Sequence, residues 1–241
     1  MKEFTHEKDR IQSFADPDLM EIWPTVNKVF TDNQRVITDT LKNNAFDEKK
    51  MIVHYQPEDS EKTIEPKLIN NKKPIKILWA SRISFQKRPD LLKKIAEKLD
   101  DNFKIDAYGL IEKKQFSTSY FNDSKVNYKG AFNGVKSINT DDYDIYVYTS
   151  QTDGVPNILM EVSATGLPIV ASNVGGISEF VKDEKTGLTI DFEDIDGYVQ
   201  ALNYLRNNPE KAQEMAQKSQ KLLKTQHSWG EFIESVKKDI K

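Results

Sequence analysis

The stretch TSQTDGVPNILMEVSATGLPIVASNVGGISEFV, residues 149–181, decides the fold. A strand, DIYVYTS, ends at its start, and a loop containing Asp153 and Gly154 follows. Pro156 falls where a first helical turn begins, with its φ already fixed and no N–H to leave unsatisfied. Gly166 falls where that helix must stop, and Leu167-Pro168 opens the next apolar strand. The loop is therefore expected at the carboxyl end of a parallel strand, where open α/β sheets bind ligands. The free N–H groups of the helix start, around Asn157 and Ile158, together with the helix dipole, suit a phosphate.

Working outward, the pattern on both sides is strand alternating with helix. IKILWAS (75–81) is a nearly continuous apolar run, the mark of a strand buried on both faces. PDLLKKIAEKLD has apolar positions at 91, 92, 95, 96 and 99, which is helical spacing. FKIDAYG, KVNYKG and PIVAS read as further strands, ISEFVKD as a short helix and GLTID as a strand. From about Asp194 the chain is helical to its end. Such alternation implies parallel crossovers and an α/β, doubly wound parallel sheet. Upstream, residues 7–22 are compatible with a helix interrupted at Asp16-Pro17. VNKVFTDN, QRVITDTLKNN and KKMIVHY then form a strand–helix–strand unit, with Asp32 or Asn33 available as the helix cap. Between the two parts, residues 56–73 are polar, contain two prolines and lack periodicity, so the domain boundary is placed there.

Two groups of side chains carry chemistry. Asp153 lies in the loop and Glu161 on the second turn of the helix, where it interrupts an apolar run. A bare buried carboxylate costs several kcal/mol, so Glu161 must be exposed or paired. Sugar hydroxyls and a structural cation both remain open as its partner. The second group is ASRISFQKRPD (80–90), which brings Arg82, Lys87 and Arg88 to the end of another strand. A guanidinium fork and an ammonium point charge both suit a diphosphate, although charged loop residues are more often simply solvated.

Composition narrows the class. With 37% hydrophobic and 30% charged residues, 12 Phe, 9 Tyr and 3 Trp, the 241-residue chain is globular in character. Its net charge of −3, from 35 basic and 38 acidic side chains, gives no global field for nucleic acid. With no cysteine, disulfides, thiolate metal sites and a cysteine nucleophile are excluded. His6, His54 and His227 show no metal-ligand spacing, so no metal is expected. No apolar run approaches the roughly 20 residues of a membrane span. The expectation is a cytoplasmic protein, with peripheral contact at the inner face of a membrane left open.

Together these residues resemble the retaining glycosyltransferases of the GT-B fold. Their motif of an acidic residue, Gly, an apolar residue, Pro, Asn, three apolar residues and Glu stands here as Asp153-Gly-Val-Pro-Asn-Ile-Leu-Met-Glu161. It is followed by Gly166-Leu-Pro-Ile-Val and by Asn173-Val-Gly-Gly-Ile-Ser-Glu179. The Gly-Arg then Lys motif stands as Ser81-Arg82 and Lys87, and the likeness runs in order over residues 26–236, with a Ser-Trp helix at 228–229.

The resemblance implies a Rossmann-like donor domain at 75–225 and a linker at 57–74. It also implies a remnant of the acceptor-side domain at 1–56 and a C-terminal helix at 226–241 packing back on that remnant. The implied activity is transfer of a hexose from a UDP- or GDP-linked sugar to a glycan or lipid-linked acceptor, with retention and without a metal or other cofactor. Arg82 and Lys87 would neutralise the diphosphate, and Asp153 with the backbone of Gly154, Val155, Pro156, Asn157 and Ile158 would contact donor sugar and phosphate. Glu161 would hold the ribose, and backbone groups near Gly109 and Tyr128 the base. Two positions depart from the motif: Asp153 where Glu is usual and Ser81 where Gly is usual. The acceptor half is expected to be incomplete, with self-association or a separately supplied N-terminal domain as its substitute. The alternative is a nucleotide-sugar-binding module with no turnover of its own.

Overall fold

The computed structural model describes residues 21, 23–42, 46–59, 62–112 and 115–240. His6 and the helix expected over 7–22 lie outside the described residues, apart from Glu21 in a helical turn. The chain divides into two compact units, Met1–Tyr55 and Gln56–Lys241.

In the first unit, strand β1 (Val29–Thr31) and strand β2 (Met51–Val53) pair in parallel, with helix α1 (Gln34–Thr40) between them in the chain. Of the two candidate caps, Asn33 is the one used: its side chain accepts the Val36 N–H at 2.9 Å. Trp23, Ile37, Phe46 and Met51 form the small core, with Trp23 and Phe46 edge to face at 4.7 Å.

The second unit is built on a six-stranded sheet. Its strands are β3 (Ile75–Ala80), β4 (Phe103–Tyr108), β5 (Val126–Gly130), β6 (Ile145–Tyr148), β7 (Ile169–Ser172) and β8 (Leu188–Ile190). All pairings are parallel, in the order β5-β4-β3-β6-β7-β8. The strand order reverses between β3 and β6, which makes their carboxyl ends the topological switch point.

Period-2 alternation explains why both faces are covered. On β3, Ile75, Ile77 and Trp79 enter one apolar cluster while Leu78 and Ala80 enter the other. The first cluster is closed by helices α2 (Pro89–Lys98), α5 (Ile195–Asn207) and the start of α6 (Pro209–Gln226). The second is closed by α3 (Asn157–Ala164), α4 (Ile177–Phe180) and Leu223. The last helix, α7 (Trp229–Asp239), starts on Ser228, whose hydroxyl accepts the Glu231 N–H at 3.3 Å. Among the described residues no helix is long and apolar enough to cross a membrane.

Residues 62–69, part of the stretch read from sequence as a linker or surface excursion, run over the surface of the second unit and are hydrogen-bonded to it. Ile64 N–H donates to Ala164 O at 2.8 Å, and the side chains of Gln220 and Gln213 donate to Ile64 O and Pro66 O at 2.6 and 2.7 Å. Side chains of α6 and the last carbonyl of α3 thus supply partners for an irregular backbone. Gly166 ends α3 at φ +78, and a Cβ there would stand 2.8 Å from Ile64 O, so the stop signal also makes room for this strap.

The chain leading into the strap is held at His227, between α6 and α7, whose carbonyl accepts the Glu58 N–H at 2.8 Å. His227 is buried, with Nδ1 3.0 Å from Gln56 O and its ring edge-on to Phe180 at 5.2 Å. Burial, above all, lowers its pKa below the usual 6.5. The neutral ring must take up a proton on unfolding in acid. Stability is therefore expected to be level above about pH 6.5 and to fall as pH drops from there toward the depressed folded value. Urea denaturation of wild type and His227→Gln between pH 5 and 8 checks this: the slope should be smaller in the variant.

Candidate functional site

The loops after β3 and β6 meet at the switch point and are laced together. Gln86 donates its side-chain amide to Thr152 O at 2.7 Å, and Gln151 N–H donates back to Gln86 O at 2.8 Å. Below them the buried Trp79 indole donates to Thr149 Oγ1 at 2.9 Å, and that hydroxyl donates to Lys87 O at 2.8 Å. A continuous buried network thus fixes the backbone of Lys87 against the end of β6.

Lys87 closes the short helical turn Phe85–Lys87, and its ammonium reaches across to the other loop. Nζ lies 2.5 Å from Asp153 Oδ2 and 2.6 Å from the Tyr148 hydroxyl. The same Asp153 oxygen accepts from Tyr148 OH at 2.6 Å and from Ser150 Oγ at 2.9 Å. Both partners of this ion pair are largely withdrawn from water, with 9% and 15% of their side chains exposed. Burial first, and then the charge of Asp153, push the Tyr148 pKa far above its usual range, so the phenol stays a protonated donor.

Behind Asp153, its backbone carbonyl accepts the Gly176 N–H at 3.2 Å. Gly175 adopts φ +55, and a Cβ on it would sit 1.7 Å from Asp153 O. The Gly-Gly turn of the sequence is thus the floor on which Asp153 rests. Beside it, α3 begins with no side-chain cap. Pro156, expected within the first turn, is instead the N-cap residue in extended conformation, and the helix proper starts at Asn157. Of the first-turn N–H groups of α3, that of Leu159 donates to Pro156 O at 3.0 Å, and the positive end of the helix dipole lies at this start. Gly154 is half-buried, Val155 is buried, Asn157 is exposed and Ile158 is half-buried.

The other expected residues separate from this pair. Arg82 lies on the loop after β3 with 61% of its side chain exposed, and it pairs with Glu112 at 3.2 Å. Arg88, grouped with it from sequence, turns the opposite way: its buried guanidinium makes two 2.9 Å bonds to Asp90 and lies over Phe192. That cation has a structural post, holding a residue whose φ of +50 is unusual for a side chain with a Cβ.

Glu161 Oε2 accepts the Val135 N–H at 2.8 Å, which uses one of its two oxygens to hold the loop after β5. Glu58, upstream of the strap, also lies within the influence of the Glu161 charge. Burial and then the Glu161 charge raise its pKa. Gly109 has its single N–H on Gly130 O at 2.9 Å and its carbonyl on the Tyr128 hydroxyl at 2.8 Å. A Cβ on Gly109 would lie 1.8 Å from Ser81 O, so glycine is required there for backbone contact. Among the described residues no group of three or more His, Asp or Glu is placed to hold a metal ion.

Tyr148, Ser150 and Glu58 were not singled out by sequence. The signal for Tyr148 was a hydroxyl-bearing residue at the last position of a strand whose side chains are otherwise buried.

Comparison with known proteins bears on family and fold. An uncharacterised glycosyltransferase of Haemophilus influenzae is 33% identical over 147 residues, which is 59% of this chain and 41% of that protein. The chain therefore spans about two fifths of that relative's length. The crystal structure of TarM superposes with a TM-score of 0.76 at 24% identity, covering 92% of this chain and 45% of TarM. HepE of Anabaena, solved in complex with UDP-glucose, superposes at 0.75 with 14% identity, covering 95% of this chain and 68% of HepE. These likenesses place the fold among GT-B glycosyltransferases. The model of the family described as glycosyl transferases group 1 matches residues 60–222, more than half of the chain. The chain belongs to the glycosyl transferases group 1 family.

Proposed function

We propose that the carboxyl face of the sheet in the second unit is a donor site. It takes a UDP- or GDP-linked hexose for transfer, with retention, to a glycan or lipid-linked acceptor. The observation that carries this reading is the Lys87–Asp153 pair, set at the strand-order reversal beside the uncapped start of α3. A buried ammonium and the positive end of a helix dipole on adjoining stretches of chain support this reading, since both suit a diphosphate leaving group.

In this reading the bond between sugar C1 and the β-phosphate oxygen breaks, with its electron pair leaving on the phosphate. The acceptor oxygen bonds to C1 from the same face and gives its proton to that phosphate. Lys87 and Arg82 balance the charge that develops, and Asp153 faces the sugar beside the backbone of Gly154 and Val155. Glu161 keeps Val135 on one oxygen and offers the other to the ribose. HepE, crystallised with UDP-glucose on the same fold, is in keeping with a donor of this class.

Thermal unfolding with UDP and GDP tests the reading. A hundredfold excess over Kd stabilises a protein by about 2.7 kcal/mol, so the cognate nucleotide should raise Tm by roughly 5–10 °C. Arg82→Ala removes an exposed charge and should leave the unliganded stability within about 0.5 kcal/mol. It should weaken the nucleotide by about tenfold, because one charge-assisted contact is lost. Glu161→Ala should weaken it as well. A folded protein whose Tm responds to neither nucleotide would overturn the reading.

A further inference from the structure

The Lys87–Asp153 pair is not a simple two-body contact. Tyr148 comes from the last position of β6 and is wholly buried. Its single hydroxyl does two things at once: it accepts from Lys87 Nζ at 2.6 Å and donates to Asp153 Oδ2 at 2.6 Å. Asp153 Oδ2 therefore receives three donors, from Lys87, Tyr148 and Ser150. The Lys87 ammonium has three N–H bonds, and two are committed to this hub. The ammonium lies 5.2 Å from the Tyr148 ring centroid, beyond the hydroxyl end of the ring, so the hydroxyl is the group that holds it.

A diphosphate arriving at this face competes with Asp153 for the Lys87 charge. If Asp153 were the only anchor, Lys87 would have to abandon a buried carboxylate to serve the phosphate, at a substantial cost. Tyr148 changes that exchange. Its hydroxyl remains a donor to Asp153 and an acceptor for Lys87 while the ammonium turns its third N–H outward. On the donor-site reading above, we infer that Tyr148 is a positioning residue that holds Lys87 and Asp153 in register for the diphosphate. It touches no substrate itself. Ser150 supports the same oxygen from the loop side.

The same geometry explains why Asp suits position 153. The carboxylate is already in contact with the phenol, so the extra methylene of Asp153→Glu would drive it into Tyr148. Tyr148→Phe should relieve part of that crowding.

A neighbouring residue supplies the control. Tyr146 is equally buried on the same strand, but its hydroxyl donates to Ala80 O at 2.9 Å and takes no part in the pair. Wild type, Tyr148→Phe and Tyr146→Phe are titrated with UDP and GDP, and with uridine and guanosine, which lack phosphate. Both variants keep the ring and the packing, and both should lose some Tm. Tyr148→Phe should bind the cognate nucleoside diphosphate about tenfold more weakly, with nucleoside binding unchanged. Tyr146→Phe should retain wild-type affinity for both. Full diphosphate affinity in Tyr148→Phe would overturn the inference and leave the donor-site reading standing. An equal loss for diphosphate and nucleoside would also overturn it, as the mark of a structural role alone. Wild type binding neither UDP nor GDP would instead remove the donor-site reading on which the inference rests.

Discussion

Lys87→Ala is expected to lower stability and nucleotide affinity together, with the two losses separable. Removing the ammonium leaves Asp153 largely buried with only hydroxyl donors from Tyr148 and Ser150. Breaking one side of a buried pair costs about 3–5 kcal/mol, and the two remaining donors place this case near ~3. Diphosphate affinity should fall by about a hundredfold or more, because the central cation of the site is gone. Lys87→Met/Asp153→Asn separates the causes. It removes the uncompensated charge, so urea denaturation should recover most of the stability, whereas nucleotide binding should stay lost. Recovery of binding in the double variant would mean that the pair is structural only.

Gly175→Ala should be nearly as damaging, for a reason that involves no charge. The residue sits at φ +55, and an added Cβ would lie 1.7 Å from Asp153 O, a distance no relaxation of a side chain can accommodate. The Gly-Gly turn or the Asp153 loop must move, at a cost of about 3 kcal/mol or more. Because the loop carries Asp153, a Gly175→Ala protein that still folds should bind nucleotide poorly. Gly130→Ala is the contrast. Its φ of +97 is also positive, yet nothing lies within 4 Å of the added Cβ. Only the backbone penalty of about 1–2 kcal/mol applies there. Circular dichroism melts of the two variants, run beside nucleotide titration, check both expectations.

These two positions also mark what could be read from sequence. The apolar runs of β3 and β6, the Pro156 and Gly166 limits of α3 and the Asn33 cap are local in origin. Period, turn chemistry and capping reveal such features without a structure. Parallel strands follow from their alternation, and with them the placing of Lys87 and Asp153 at strand carboxyl ends, whereas the adjacency of those two ends comes from the strand order of the fold.

What was not legible depends on partners far away in the chain. Arg88 reads in sequence as a third phosphate cation, but its fork is on Asp90 and near Glu193, 105 residues later. The segment after Gln56 reads as polar surface chain, and the side chains that tie it down, Gln213 and Gln220, lie about 150 residues downstream on α6, beyond the reach of local pattern. The Glu161 alternatives, ribose or structural partner, meet a third element: a backbone N–H at Val135 that composition cannot disclose. Tyr148 is not legible in sequence because an aromatic at the end of a buried strand reads as core, and only its hydroxyl contacts tell otherwise.

The measurement that bears most directly on the donor site is calorimetric titration of the intact 241-residue chain with UDP and with GDP, repeated on Lys87→Ala. The expected result is one-site binding of one nucleotide by wild type, with the signal lost in the variant while circular dichroism still reports a folded sheet. A folded wild-type chain that binds neither nucleotide, or a Lys87→Ala protein that binds as tightly as wild type, would contradict it.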